Sequence, residues 1–240
     1  MSRRSPNAQL PFSFDAKRSY ARADFVPGAA NADALALIDA WPAWPARVCA
    51  LWGPQGSGKT HLAEIWRMQA AATALPVREL SVETVAALSP GQAFVVDNAD
   101  AVAGGAPLFH LLNFVNQSAG WLLMTGAEAP QRWPTTVPDL HSRLTAVPGA
   151  ALETPDEALI ARVLLKLFGD RQLKLPEALI DYLVPRLRRS FADAERIVVL
   201  IDTLALQQKR NVSVEIGAQA LRLLEAEQGG GSADNGEGLV

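Results

Sequence analysis

Cysteine is almost absent: Cys49 is the only one in 240 residues. An internal disulfide is therefore excluded, and a reducing compartment fits. Val48, Ala50 and Leu51 around it are apolar, so the thiol reads as a buried structural group. Histidine is scarce too. His61, His110 and His141 are scattered without metal-ligand spacing. Excess positive charge is also missing, because 22 Lys and Arg face 25 Asp and Glu, for a formal charge of -3. No global field draws the chain to nucleic acid, and no strong direct DNA binding is expected. Apolar runs fall short of the ~18 residues that a membrane span needs, so no membrane association is expected. No apolar core of a secretory signal opens the chain. Arg3, Arg4, Lys17 and Arg18 sketch a transit peptide, but Pro6 and Pro11 would break its amphipathic helix. A cytoplasmic location is expected.

What is present is a hydrophobic share of 49%, enough to fill a core and to argue against disorder. No internal repeat is visible. Apolar runs alternate with helical patterns from about residue 31 to 150. RVCALW (47–52) reads as a buried strand, 59–74 as a helix and VREL (77–80) as a short strand. SVETVAAL reads as a short helix, QAFVVD (92–97) as a strand, 105–119 as a helix and WLLMTG (121–126) as a strand. Such alternation predicts parallel strands with helices on both faces. After about residue 150 the strand signals stop. TPDEALIARVLLKLFGDR, PEALIDYLVPRLR (broken at Pro185), FADAERIVVLIDTLALQQKR and EIGAQALRLLEAE read as four helices. The expected organisation is a tail over 1–19, an α/β nucleotide-binding unit over 20–152, a helical lid over 153–228 and a Gly-rich flexible tail over 229–240.

GPQGSGKT, Gly53 to Thr60, matches G-x-x-x-x-G-K-[ST] between a predicted strand and a predicted helix. Gly53, Gly56 and Gly58 would let backbone N–H groups turn inward around a β-phosphate, with the helix N-terminus behind them. Lys59 would reach the β- and γ-phosphates, and Thr60 would hold Mg²⁺. Asp97 ends an apolar strand, where it serves either as a Mg²⁺ partner or as a turn cap. Asn98 follows where an acid would polarise the attacking water. An amide cannot take that proton, so self-catalysed hydrolysis should be slow. Asp100 is a substitute two residues on. Thr125 sits at a strand end and reads equally as a γ-phosphate sensor or a turn residue before Gly126.

The tail carries QLPFSF, with Leu10, Phe12 and Phe14 on alternate positions and therefore on one face of an extended segment. Pattern alone leaves two readings, a terminal strand on its own domain or a ligand for another protein. Gln9 can hydrogen-bond at a pocket rim while the three apolar side chains fill pockets, and Pro11 keeps the segment extended.

FVPGAANADAL, GPQGSGKTHL, FVVDNAD, LLMTGAEAP and PDLHSRL, in this order and before a helical end, resemble the DnaA/Hda family of AAA+ proteins over roughly residues 9–228. QLPFSF, the Asp97-Asn98 pair and the Gly-rich end in place of a DNA-binding domain resemble its short Hda-type regulators more than its initiators. The resemblance implies an AAA+ P-loop module with a small all-helical lid, which binds ADP or ATP with Mg²⁺ held by Thr60 and Asp97. It implies that Asp24, Phe25 and His61 border the nucleotide, and that Gln9, Leu10, Phe12 and Phe14 bind the DNA polymerase sliding clamp (beta subunit). Arg143 in HSRL sits where the family has an arginine finger that acts in trans. Read alone, Arg143 would be a surface residue pairing with Asp139 at i, i+4. The family's lid arginine aligns with Asp193 or Glu195, with Arg189 and Arg196 out of register, so that role stays unassigned. The implied function is negative regulation of replication initiation: an adaptor on the DNA-loaded clamp stimulates ATP hydrolysis by the initiator DnaA, with homo-oligomers possible. An AAA+ ATPase or helicase loader acting in its own right is the alternative. A DNA-binding initiator is disfavoured by the acidic balance.

Overall fold

The computed structural model describes residues 20–230, with side chains to residue 228. The sliding-clamp segment Gln9 to Phe14 and the Gly-rich tail from residue 231 lie outside these residues. Five parallel strands form the sheet: β1 (Val48–Trp52), β2 (Thr73–Ala74), β3 (Ala93–Val96), β4 (Trp121–Gly126) and β5 (Gly149–Ala151), in the order β2-β3-β4-β1-β5. The central strands are buried on both faces, which is why their sequences read as continuous apolar runs.

Side chains alternate across the sheet with the period of two. Cys49, Leu51, Val95 and Leu123 face α1 (Ala32–Asp39) and α2 (Lys59–Gln69), where Ile38, Leu62 and Trp66 complete one core. Val48, Ala50, Phe94, Val96, Leu122 and Met124 face the other way. They pack on α3 (Val82–Ala86), α4 (Ala106–Gln117) and α5 (Pro138–Thr145). A third core belongs to the lid, α6 (Glu157–Asp170), α7 (Glu177–Leu183), α8 (Phe191–Gln208) and α9 (Val214–Gly230). Asp156 caps α6 by accepting from the Leu159 N–H at 2.7 Å, and Ser190 caps α8 by accepting from the Asp193 N–H. The helix α7 stops at Leu183, ahead of Pro185, as expected.

Three local expectations need correction. The helix expected over 59–74 ends at Gln69, and Thr73–Ala74 leaves as strand β2. That strand is set by its pairing with Phe94 and Val95, not by its own composition. VREL is no strand: Val77–Glu79 is a 3-10 turn. The three-residue period of that turn brings Val77 and Leu80 onto the same core. The strand β5 was not expected. Its Gly149 is required because a Cβ there would run into the Ala50 carbonyl and lie 2.7 Å from the Trp52 ring.

Among the described residues no helix is long and apolar enough to cross a membrane. Burial pushes the Cys49 thiol up to about 12, so the reactive thiolate is suppressed at neutral pH. Alkylation by iodoacetamide at pH 8, followed by mass spectrometry, should modify Cys49 only after the protein is unfolded. Rapid labelling of the native protein would contradict this packing.

Candidate functional site

Strands β1, β3 and β4 are parallel, so their C-terminal ends share one edge. The loop after β1 runs from Gly53 to Gly58 and enters α2 at Lys59. Its turn depends on left-handed backbone at Gly56 (φ 76°) and Gly58 (φ 100°), a region that costs other residues energy. The backbone N–H groups of Gly56 and Gly58 make no backbone hydrogen bond among the described residues, which leaves them available to an anion. The Lys59 Nζ donates to the carbonyls of Gly53 at 2.7 Å and Pro54 at 2.9 Å. Burial holds this ammonium below its ordinary range, while the nearby Asp97 and Asp100 carboxylates oppose that shift.

Register explains the next contact. Val96 pairs with Met124, so the residues that follow, Asp97 and Thr125, stand side by side. The Thr125 hydroxyl donates a short hydrogen bond to Asp97 Oδ1, and the Thr60 hydroxyl donates to Asp97 Oδ2 at 2.9 Å. Thr125 Oγ1 also accepts the Asn98 N–H at 2.9 Å. One carboxylate thus ties α2, β3 and β4 together. Thr60 and Asp97 offer two hard oxygen donors beside the phosphate loop, which suits Mg²⁺ completed by phosphate oxygens and water. No group of three or more His, Cys, Asp or Glu among the described residues could cage an ion without such help. Asn98 adopts left-handed backbone (φ 57°), a conformation that asparagine tolerates better than most residues. Asp100 braces the loop after β4: its Oδ2 accepts the Ala127 N–H at 2.8 Å.

On the other side of the loop, His61 lies edge-on to Tyr20 and Phe25, with ring centroids 5.3 and 5.4 Å away. Phe25 and His61 are thereby brought together at the start of α2. Asp24 turns to the lid and pairs with Lys166 at 2.9 Å. Asn31, which the sequence reading left without a role, is buried and shapes this corner. Its Oδ1 accepts the Gly28 N–H at 2.8 Å and its Nδ2 donates to the Val26 carbonyl. The FVPGAAN stretch contained the signal, an Asx residue three positions after a glycine.

Arg143 lies elsewhere. It shares a cleft with Ala46, Val48, Leu112, Asn116 and Pro148, at the N-terminal edge of the sheet. The five residues of β1 separate this edge from the phosphate loop by roughly 16 Å. The i, i+4 pairing with Asp139, the alternative for Arg143 read alone, does not form among the described residues. Instead the exposed guanidinium lies 5.2 Å from the centroid of the Phe109 ring. An exposed ion pair of this type is worth about 0.3–0.5 kcal/mol, and a cation–π contact about 0.5–1, so the ring wins narrowly. The two lid arginines nearest the expected position pair with carboxylates: Arg189 with Glu157 at 2.9 Å and Arg196 with Glu227, through its Nε, at 2.9 Å.

No family model matches the chain. An uncharacterised protein of Haemophilus influenzae is 26% identical over 186 residues, 72% of this chain and 80% of that one. Among solved structures, domain III of the Thermotoga maritima replication initiation protein DnaA superposes with a TM-score of 0.73 at 18% identity. That match covers 85% of this chain and 96% of the other. DnaA from Aquifex aeolicus, solved with AMPPCP, gives 0.68 at 18% identity over 87% of this chain and 70% of the other. A RuvB variant of Thermotoga maritima gives 0.67 at 15% over 86% and 72%. The fold is therefore the DnaA-like AAA+ fold, an all-parallel five-stranded sheet with flanking helices and a helical C-terminal part.

The Thr125 hydroxyl is fully buried and bonded on both sides. Thr125→Val keeps the shape and strands the Asn98 N–H, which should cost about 1–3 kcal/mol. Urea unfolding monitored by circular dichroism should show the lower midpoint. An unchanged midpoint would remove Thr125 from the bracing of the site.

Proposed function

We propose that this protein is a nucleotide-bound AAA+ regulator of replication initiation, which acts on the P-loop site of a partner and not mainly through its own. The observation that carries this reading is the separation of parts. A phosphate loop with Lys59, Thr60 and Asp97 lies at one edge of the sheet, and Arg143 lies exposed at the other. A guanidinium there is out of reach of its own loop and accessible to the loop of a second molecule. Asn98 in place of an acid supports weak intrinsic hydrolysis. The AMPPCP-bound state of the Aquifex aeolicus structure supports nucleotide occupancy of a fold of this kind.

ADP or ATP with Mg²⁺ would occupy Gly53 to Thr60, with Phe25 and His61 at its border. The partner in this reading is the initiator DnaA in its ATP form. Arg143 would stabilise the charge that develops on the transferred phosphoryl group. Gln9, Leu10, Phe12 and Phe14 would hold the protein on the DNA-loaded sliding clamp. That tether would raise its local concentration where replication is under way.

The test combines clamp, primed DNA, ATP-loaded DnaA and this protein, with phosphate release as the readout. Arg143→Ala should lower stimulated hydrolysis by about 10³-fold or more while the variant remains folded. Full stimulation by Arg143→Ala would end the finger assignment. Independently, immobilised clamp should retain the wild type and lose a variant with Gln9, Leu10, Phe12 and Phe14 all changed to alanine. Equal retention would refute the clamp motif.

A further inference from the structure

The lid touches the phosphate loop directly. The Phe191 N–H, at the first position of α8, donates to the Gly56 carbonyl at 2.9 Å. A Cβ on Gly56 would overlap the Ser190 Oγ and lie 2.9 Å from the Ser190 Cβ. A Cβ on Gly58 would lie 3.2 Å from the Phe191 ring. At the other end of the loop, Gly53 abuts the Leu152 carbonyl, where the chain leaves β5 for the lid. The loop is gripped at one end by the segment that leads into the lid and at the other by its third helix, α8. Both of these contacts run through backbone and uncharged side chains, while Arg189 and Arg196 pair with Glu157 and Glu227.

We propose that the Phe191–Gly56 hydrogen bond and the fit of Ser190 against Gly56 form a latch that couples lid position to nucleotide binding through the backbone. The inference rests on the nucleotide-binding reading above. The latch uses the carbonyl of Gly56, whereas an anion would use the N–H groups of the same loop. Latch and ligand are therefore compatible, and each favours the loop shape that the other needs. With the lid latched, the loop does not have to be ordered at the moment of binding. Opening the latch should weaken nucleotide binding and free the lid together.

Two variant pairs separate the bond from the packing. Phe191→Pro removes the N–H at a first-turn position where proline suits a helix, and Phe191→Leu keeps the N–H and removes the ring. Gly56→Ala forces a methyl group into Ser190, and adding Ser190→Gly removes the obstacle while keeping a tolerated cap. Backbone strain at residue 56 is common to the second pair, so it cancels in their comparison. Two readouts apply to each protein. One is titration with a fluorescent ADP analogue in the presence of Mg²⁺. The other is the distance between spin labels on Gln131→Cys and Gln207→Cys, both exposed positions, with native Cys49 buried and silent.

The wild type and Phe191→Leu should show one narrow lid distance without nucleotide and bind the analogue within about twofold of each other. Phe191→Pro and Gly56→Ala should bind about five- to tenfold more weakly, the worth of one hydrogen bond, with a broadened distance. The Gly56→Ala, Ser190→Gly protein should regain most of both properties relative to Gly56→Ala. Wild-type affinity and a narrow distance in Phe191→Pro, or no recovery in the double variant, would overturn the latch. If the wild type itself bound no nucleotide, the functional reading would fail, and the label distances without nucleotide would still decide whether the latch exists.

Discussion

Everything at this site hangs on one carboxylate. Asp97 sits at the end of a buried strand, and both its oxygens are taken, one by Thr60 and one by Thr125. Those bonds fix three elements relative to one another: the helix that follows the phosphate loop, the strand before Asn98 and the neighbouring strand. A carboxylate held by two hydroxyls is pre-organised for a divalent cation, because little has to move when phosphate oxygens and water complete the shell. The same bonds set the limits of the chemistry. Asn98, in left-handed backbone and with its N–H given to Thr125, is in place to shape the turn and not to take a proton.

The two ends of the sheet carry different groups. The C-terminal edge carries the phosphate loop, with Lys59 kept from its ordinary basicity by burial. The N-terminal edge carries Arg143 on the Phe109 ring. The strands between them are short and buried on both faces, so the two edges form one rigid block. The lid adds its own apolar core and meets this block along the phosphate loop and through the Asp24–Lys166 pair. The phosphate loop is thereby in contact with the lid, while the arginine at the opposite edge lies exposed.

Much of this was legible in the sequence, for a physical reason. Strands buried on both faces have to be apolar throughout, so β1, β3 and β4 announced themselves, and a phosphate loop is local in sequence by construction. The edge strands β2 and β5 were not legible, because each exists only through its pairing with a neighbour. The Val77–Glu79 turn imitates a strand in composition, and only the position of the core distinguishes the two. Side-chain partners across the fold were the hardest to foresee. Asp139 has the right spacing for Arg143, yet the Phe109 ring competes from another helix. The meeting of Phe191 with Gly56 joins segments far apart in the sequence, and no local pattern encodes it.

If the loop over Gly53 to Thr60, backed by Asp97, is a phosphate cradle, a crystal structure of the protein with ADP and Mg²⁺ will show it. The β-phosphate should lie within hydrogen-bond distance of the loop N–H groups. Lys59 should have moved from the Gly53 and Pro54 carbonyls onto the phosphate, with the metal beside Thr60 and Asp97. A nucleotide bound away from this loop, or a loop still empty at saturating ADP with Lys59 unmoved, would contradict it.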